Sequence, residues 1–218
     1  MTELASHETD YSVVQHEPPE VMDRVLRVGA RLWASATVFF FFAFLFAYFY
    51  LRSLNSHGLF KPKGVHVPQT FGALVTVAIV ASGVLLRLAL ADHRADRRPA
   101  WRVKGAIAAA VLVAAFALQV AEWSTQGFGP TDGGYASVFV GWTGLQALFV
   151  LGLLYWLETT LAMSFRYRGA QNARASAEAP ADIADPLALV RPELEALSFY
   201  ALFLAGTAVV SWFILYVL

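Results

Sequence analysis

Five stretches of this chain run without Asp, Glu, Lys, Arg or His: Leu32–Leu51, Val67–Leu86, Gly105–Ala121, Gly133–Leu157 and Ala196–Leu218. Each approaches or exceeds the ~20 residues that cross a bilayer core. The runs are continuous rather than alternating, so they predict helices and not the strands of a membrane barrel. The expected fold class is an all-α membrane protein, a bundle of five transmembrane helices over about 30–53, 68–91, 103–125, 135–165 and 194–218. Residues 1–22 form a polar N-terminal tail, and 23–218 a single transmembrane domain. Pro62 and Gly64 break the first outer loop, and Pro68 suits the first turn of span two. The loop Gly169–Pro192 is rich in Ala, Asp and Glu and is too short for a second domain.

Composition agrees. The 218 residues are 58% hydrophobic and 15% charged, with mean hydropathy +0.55, whereas soluble domains carry about 25% charge. The acidic start (Glu3, Glu8, Asp10, Glu17, Glu20, Asp23) lacks an early apolar core, so span one is expected to act as an uncleaved anchor. Span one is rich in aromatics, Phe39 to Tyr50, and is expected to face lipid or line a cleft. Span three is rich in alanine (Ala106, Ala108, Ala109, Ala110, Ala114, Ala115, Ala117), which allows close helix approach and predicts a central place in the bundle. Phe199, Tyr200, Trp212 and Tyr216, near the ends of span five, suit interfacial anchoring.

The net charge of zero hides an asymmetry. Thirteen basic residues fall on one side: Arg24, Arg27, Arg31, Arg87, Arg94, Arg97, Arg98, Arg102, Lys104, Arg166, Arg168, Arg174 and Arg191. Only Arg52, Lys61 and Lys63 fall on the other. The positive-inside rule then predicts a cytoplasmic N-terminus and an outside C-terminus. Clustered arginine also suits nucleic acid, but beside membrane ends topology and anionic headgroups account for it, and no nucleic-acid partner is expected.

Candidate chemistry is sparse. There is no cysteine, and His7, His16, His57, His66 and His93 all lie outside the apolar runs. Intramembrane haem needs axial His, Met or Cys, and copper electron-transfer sites need His with Cys. No cofactor or metal is therefore expected in this chain. A surface metal site from His57 and His66 competes with the plainer reading of two solvated loop histidines. There is no GxxxxGK[ST] loop and no Ser/His/Asp constellation, so the chain is not expected to catalyse alone, and no catalytic residue is assigned.

The polar residues within the spans stand out, because such groups are expensive in a bilayer. Glu122 lies near the outer end of span three with Gln119 one turn before it on the same face. A carboxylate there opposes the helix dipole and needs a partner, for which Arg52 is the candidate, and a structural ion pair or interhelical hydrogen bond is expected rather than a proton-transfer role. Glu158, near the inner end of span four, is either a functional intramembrane acid or a salt-bridge partner of Arg31, Arg87 or Arg166. Thr143 and Gln146 share one face of span four and suit hydrogen bonds between helices.

The stretch Gln119–Gly152 resembles subunit III of the haem-copper cytochrome c oxidases. The shared pattern reads Gln119, Glu122, Trp123, then Asp132, Gly133, then Tyr135, Ser137, Phe139, then Thr143, Gly144. Span one agrees through Phe41-Phe42-Ala43-Phe44-Leu45-Phe46-Ala47-Tyr48 and Leu51-Arg52. The resemblance covers about residues 30–218, and five spans with an inside N-terminus match the short bacterial form. This chain departs from the family at Val38, where the family places a Glu. It also departs at Gln146 and Phe149, where the family places His, and at Phe199-Tyr200-Ala201-Leu202-Phe203. Roles tied to those positions do not carry over, and the chain reads as a divergent member.

The resemblance implies a subunit without a redox centre in the cell (inner) membrane of a bacterium. By that implication it packs against a haem-bearing subunit I, beside a copper-bearing subunit II. It binds phospholipid in a cleft, supports proton uptake and protects the enzyme during turnover. Arg166, after Phe165, matches a lipid-headgroup position on the same implication. Two other readings stand beside this one: a subunit-III-like accessory protein of a nitric oxide reductase, and a small permease, which the lack of an internal repeat disfavours.

Overall fold

The computed structural model describes residues 19–55, 58–174 and 190–218; for Pro19, Glu20, Met22, Arg98 and residues 166–174 only the backbone is described. Five helices, each long and apolar enough to cross a membrane, account for nearly all of it. They are α1 (Pro19–Ser53), α2 (Gln69–Arg94), α3 (Arg98–Thr125), α4 (Gly134–Arg174) and α5 (Val190–Trp212). There is no strand among the described residues. Continuous helix is the form that satisfies every backbone group without water, which is why the apolar runs become helices. α1 and α4 outlast their apolar runs at the ends that the expected topology places inside. α1 starts well before Leu32, and α4 continues to Arg174, past the expected start of the fourth connection at Gly169.

α5 packs on α1, α2 and α4, while α4 packs on α1, α3 and α5. These two helices form the centre. α3 packs mainly on α2 and α4 and lies at the periphery, contrary to the central place its alanines predict. Its buried positions are Trp101, Gly105, Ala108, Leu112, Ala115, Gln119 and Glu122. That is a single seam at alternating steps of three and four, the narrow stripe of a helix with neighbours on one side. Ala106, Ala110, Ala114 and Ala117 face outward. Alanine content thus records a helix that tolerates close approach on one face, and it does not say how many faces are used.

The α2–α3 hairpin shows how local sequence sets packing. Its link is three residues, 95–97, with Asp96 at φ 53°. Asp is among the few non-glycine residues that enter this left-handed region readily. Pro99 then occupies the first turn of α3, where its missing N–H costs nothing. Below the link, Asp92 is buried and its carboxylate is held by Lys104 and by Arg97 at 3.1 Å. At the same inner end Glu195 of α5 pairs with Arg94 of α2 at 2.9 Å and with Arg191 at 3.3 Å.

In α1 the aromatic run divides by face. Phe41 and Tyr48 are buried, whereas Phe39, Phe40, Phe42 and Phe46 are exposed. α5 ends differently from the others. After Trp212 its backbone widens into a π-helical turn, Phe213–Val217. Such turns re-aim side chains and recur at functional sites. Here the turn carries Tyr216 inward.

Candidate functional site

The site is the corner where α1, α3, α4 and α5 meet, at the end of the bundle that the expected topology places outside, and its floor is the turn before α4. Asp132 closes that turn: its Oδ2 accepts the Gly129 N–H at 2.7 Å, and its own N–H donates to the Gly129 carbonyl. Gly133 follows at φ +134°, a conformation that side chains resist. A Cβ there would also meet Pro62 Cδ at 2.8 Å and the Leu59 carbonyl at 3.1 Å. Glycine therefore lets the first outer loop lie against the second, and the Tyr135 N–H donates to the Phe60 carbonyl at 2.8 Å. Ser137 donates its hydroxyl to the Pro130 carbonyl, which ties the turn to the first turn of α4.

Tyr135 is buried and donates its hydroxyl to the carbonyl of Leu215 in the π-helical turn. Its ring meets Tyr48 and Phe60 edge-on, and Lys61 Nζ lies 4.4 Å from its centroid. About two and a half turns into α4, Thr143 Oγ1 accepts the indole N–H of Trp123 at 3.0 Å, joining α4 to α3. Gly144 faces open space and is used in no close approach.

Glu122 is the centre of the corner and is fully buried. Gln119 Nε2 donates to its Oε2 at 2.7 Å. The Tyr216 hydroxyl lies 2.7 Å from Oε1 and 2.9 Å from Oε2. The Tyr216 carbonyl in turn accepts from Gln69 Nε2 at 3.0 Å, which brings in α2. These hydrogen bonds offset the cost of burying the Glu122 side chain.

Arg52 is not the partner expected for Glu122. It is exposed, its guanidinium lies 5.9 Å from the Tyr48 ring centroid, and Nη1 donates to the Tyr48 hydroxyl at 3.4 Å. The carboxylate is satisfied by neutral donors on helices that already pack there, so no charge needs to be drawn inward. Tyr200 and Tyr216 are not surface anchors either. Tyr200 is buried, 3.2 Å from Thr37 Oγ1, and Tyr216 turns into the corner. Sequence reading misses both, since a lone hydroxyl near a span end fits an interfacial tyrosine equally well.

The remaining candidates lie apart. Glu158 is exposed on α4 and forms no ion pair or hydrogen bond with a described residue, so the salt bridge to Arg31 or Arg87 is not made. The Arg166 side chain lies outside the described residues, as does His57. His66 is exposed, and the His93 ring stands edge-on to Trp101 at 5.5 Å. No group of three His, Cys, Asp or Glu side chains that could hold a metal occurs among the described residues.

Two further features border the corner. An open apolar groove of about 420 Å³ runs between α1, α4 and α5, lined by Phe41, Phe42, Trp142, Phe203, Val210 and Ile214. Beside it the Trp142 indole donates to Ser211 at 2.8 Å, locking α4 to α5.

This arrangement is that of a multi-pass helical membrane protein whose intramembrane polar groups mostly brace one helix against another. A family model described as Cytochrome c oxidase subunit III matches residues 6–182, which takes in α1 to α4 and the whole outer corner except Tyr216 and Leu215. The chain belongs to the cytochrome c oxidase subunit III family. It is 29% identical over 174 residues to cytochrome c oxidase subunit 3 of Oryctolagus cuniculus, covering 76% of this chain and 65% of that protein. It is 30% identical over 160 residues to cytochrome c oxidase subunit 3 of Osphranter robustus, covering 70% and 60%. The chain thus spans just under two thirds of the length of these curated relatives.

Proposed function

We propose that this chain is the non-catalytic subunit III of a haem-copper cytochrome c oxidase in the respiratory membrane of a bacterium. Its partners in this reading are a haem-bearing subunit I and a copper-bearing subunit II, and haem and copper reside in those chains. Among the described residues the donor set does not suit either group, because the apolar spans hold no His or Cys and their polar side chains are mainly Ser, Thr, Gln, Tyr and Glu. No electron-transfer or oxygen step is therefore assigned to this chain.

The observation that carries the reading is the outer corner itself. The motif residues Glu122 and Tyr135 are tied by hydrogen bonds to the π-helical turn after α5, and Asp132 and Ser137 fix the turn that joins α3 to α4, so one brace holds three helices. Such a brace keeps a thin bundle rigid against a larger neighbour. The apolar groove between α1, α4 and α5 suits the acyl chain of a phospholipid. Its aromatic lining is of the kind that holds a chain without polar contacts. The thirteen-to-three distribution of basic residues supports a cytoplasmic N-terminus. Support for proton uptake by subunit I belongs to the same proposal.

Purification of the tagged chain in mild detergent, with the co-purifying subunits sequenced by mass spectrometry, tests it. A large haem-bearing chain together with a copper-binding chain is expected. A nitric oxide reductase large subunit in that place would move the chain to the accessory role in that enzyme, and purification without any large partner would overturn both.

A further inference from the structure

A seam inside the bundle carries a second polar feature that the brace does not use. Two small cavities lie along it, and Gln119 and Gln146 line both. The outer one is bounded by Thr76, Thr143, Ser211, Trp212 and Tyr216 as well, while the inner one is otherwise apolar. Gln146 is only 6% exposed and forms no hydrogen bond to a described residue. The indole N–H of Trp212, a residue that also lines the outer cavity, is buried and unmatched. Gln146 lies eleven residues beyond Tyr135, about 16 Å down α4 from the outer corner, so it sits near mid-bilayer.

Buried polar groups are nearly always matched, and an orphaned pair facing one cavity indicates a small polar ligand there. The cavity has about 10 Å³ for the centre of such a ligand, close to what one water molecule needs. Water also meets the chemistry: Gln146 offers both a donor and an acceptor, Trp212 a donor, and Gln119 an acceptor, since its Nε2 is committed to Glu122. Thr143 and Ser211 are less available, because each hydroxyl already accepts from an indole and donates to a carbonyl. Thr76 and Trp212 also line an apolar groove on the outer side between α2 and α5, so they separate the cavity from lipid.

We propose that this seam is a buried water site, in which one water joins Gln146 to Gln119 and Trp212 and extends the Glu122–Tyr216 network from the outer corner to mid-bilayer. The site depends on this chain alone and stands whichever large subunit is the partner.

The test is a cryo-electron microscopy map of the intact purified complex, at a resolution that shows ordered water, for the natural chain and for Gln146→Leu. Density within hydrogen-bond distance of Gln146 and Trp212 Nε1, lost in Gln146→Leu, is the expected result. A dry seam in the natural chain, with Gln146 turned onto a protein carbonyl, overturns the proposal. If Gln146→Leu fails to assemble, Trp212→Phe removes one donor and keeps a ring in place. Weakened or displaced density is then expected, and unchanged density remote from residue 212 overturns the assignment.

Discussion

The hydroxyl of Tyr216, in the π-helical turn after α5, bridges both carboxylate oxygens of Glu122 on α3, 2.7 and 2.9 Å away. Removing it leaves the fully buried carboxylate with Gln119 alone. Hydrogen bonds to charged groups contribute about 1.5–3 kcal/mol, though bonds between membrane helices average nearer 0.6 kcal/mol. Because this acceptor is enclosed and has Gln119 as its other donor, we expect Tyr216→Phe to cost about 1–2 kcal/mol. The check is a thermal-unfolding double-mutant cycle with Glu122→Gln. The coupling should be positive and near that size, and independent, additive effects would refute the contact.

Glycine substitutions divide sharply by location. A Cβ at Gly72 would lie 2.2 Å from the Tyr216 ring. Gly72→Ala must therefore displace Tyr216 and should lose as much stability as Tyr216→Phe, or more. Gly144→Ala and Gly152→Ala meet nothing within 4 Å and should leave the melting temperature within about 2 °C, since effects outside packed regions stay within about ±0.5 kcal/mol. Melting curves of the three variants in one detergent decide this.

Arg52 gives a prediction that opposes the ion-pair reading of the sequence. It is exposed and only borders Tyr48, so Arg52→Met should cost no more than about 1 kcal/mol. An effect as large as that of Glu122→Gln, with coupling between the two, would restore the pair.

At the inner end, Asp92 is buried while its partners Lys104 and Arg97 reach solvent. The asymmetry predicts that removing the cations is worse than removing the acid. Lys104→Met with Arg97→Met strands a buried charge and should cost about 3–5 kcal/mol. Asp92→Asn leaves two solvated cations and should cost markedly less. Chemical denaturation of the two forms provides the comparison, and equal losses would contradict the buried position of Asp92.

The five helices are legible in the sequence because lipid admits no interrupted, unsatisfied backbone, so each span writes itself as a long uncharged run. The outer turn is legible for a similar reason: Asp132 and Gly133 have few other uses between two apolar runs. The partner of Glu122 is not legible. Any of several polar groups could reach that carboxylate, and only the docking of α5, with its π-helical turn, selects Tyr216 over Arg52. Alanine in α3 misleads because composition reports tolerance of contact, while burial follows the one seam from Trp101 to Glu122. Tyr200 misleads in the same way as Tyr216, since its burial beside Thr37 depends on α1 and α5 lying together.

In the proposed function this chain braces an oxidase and carries no redox centre of its own. Reduced-minus-oxidised spectra of the purified complex, taken before and after this chain is stripped off by stronger detergent, address it most directly. The account predicts that the haem bands stay in full with the remaining subunits and that the released chain is colourless. Haem absorbance that leaves with this chain in stoichiometric amount would contradict it.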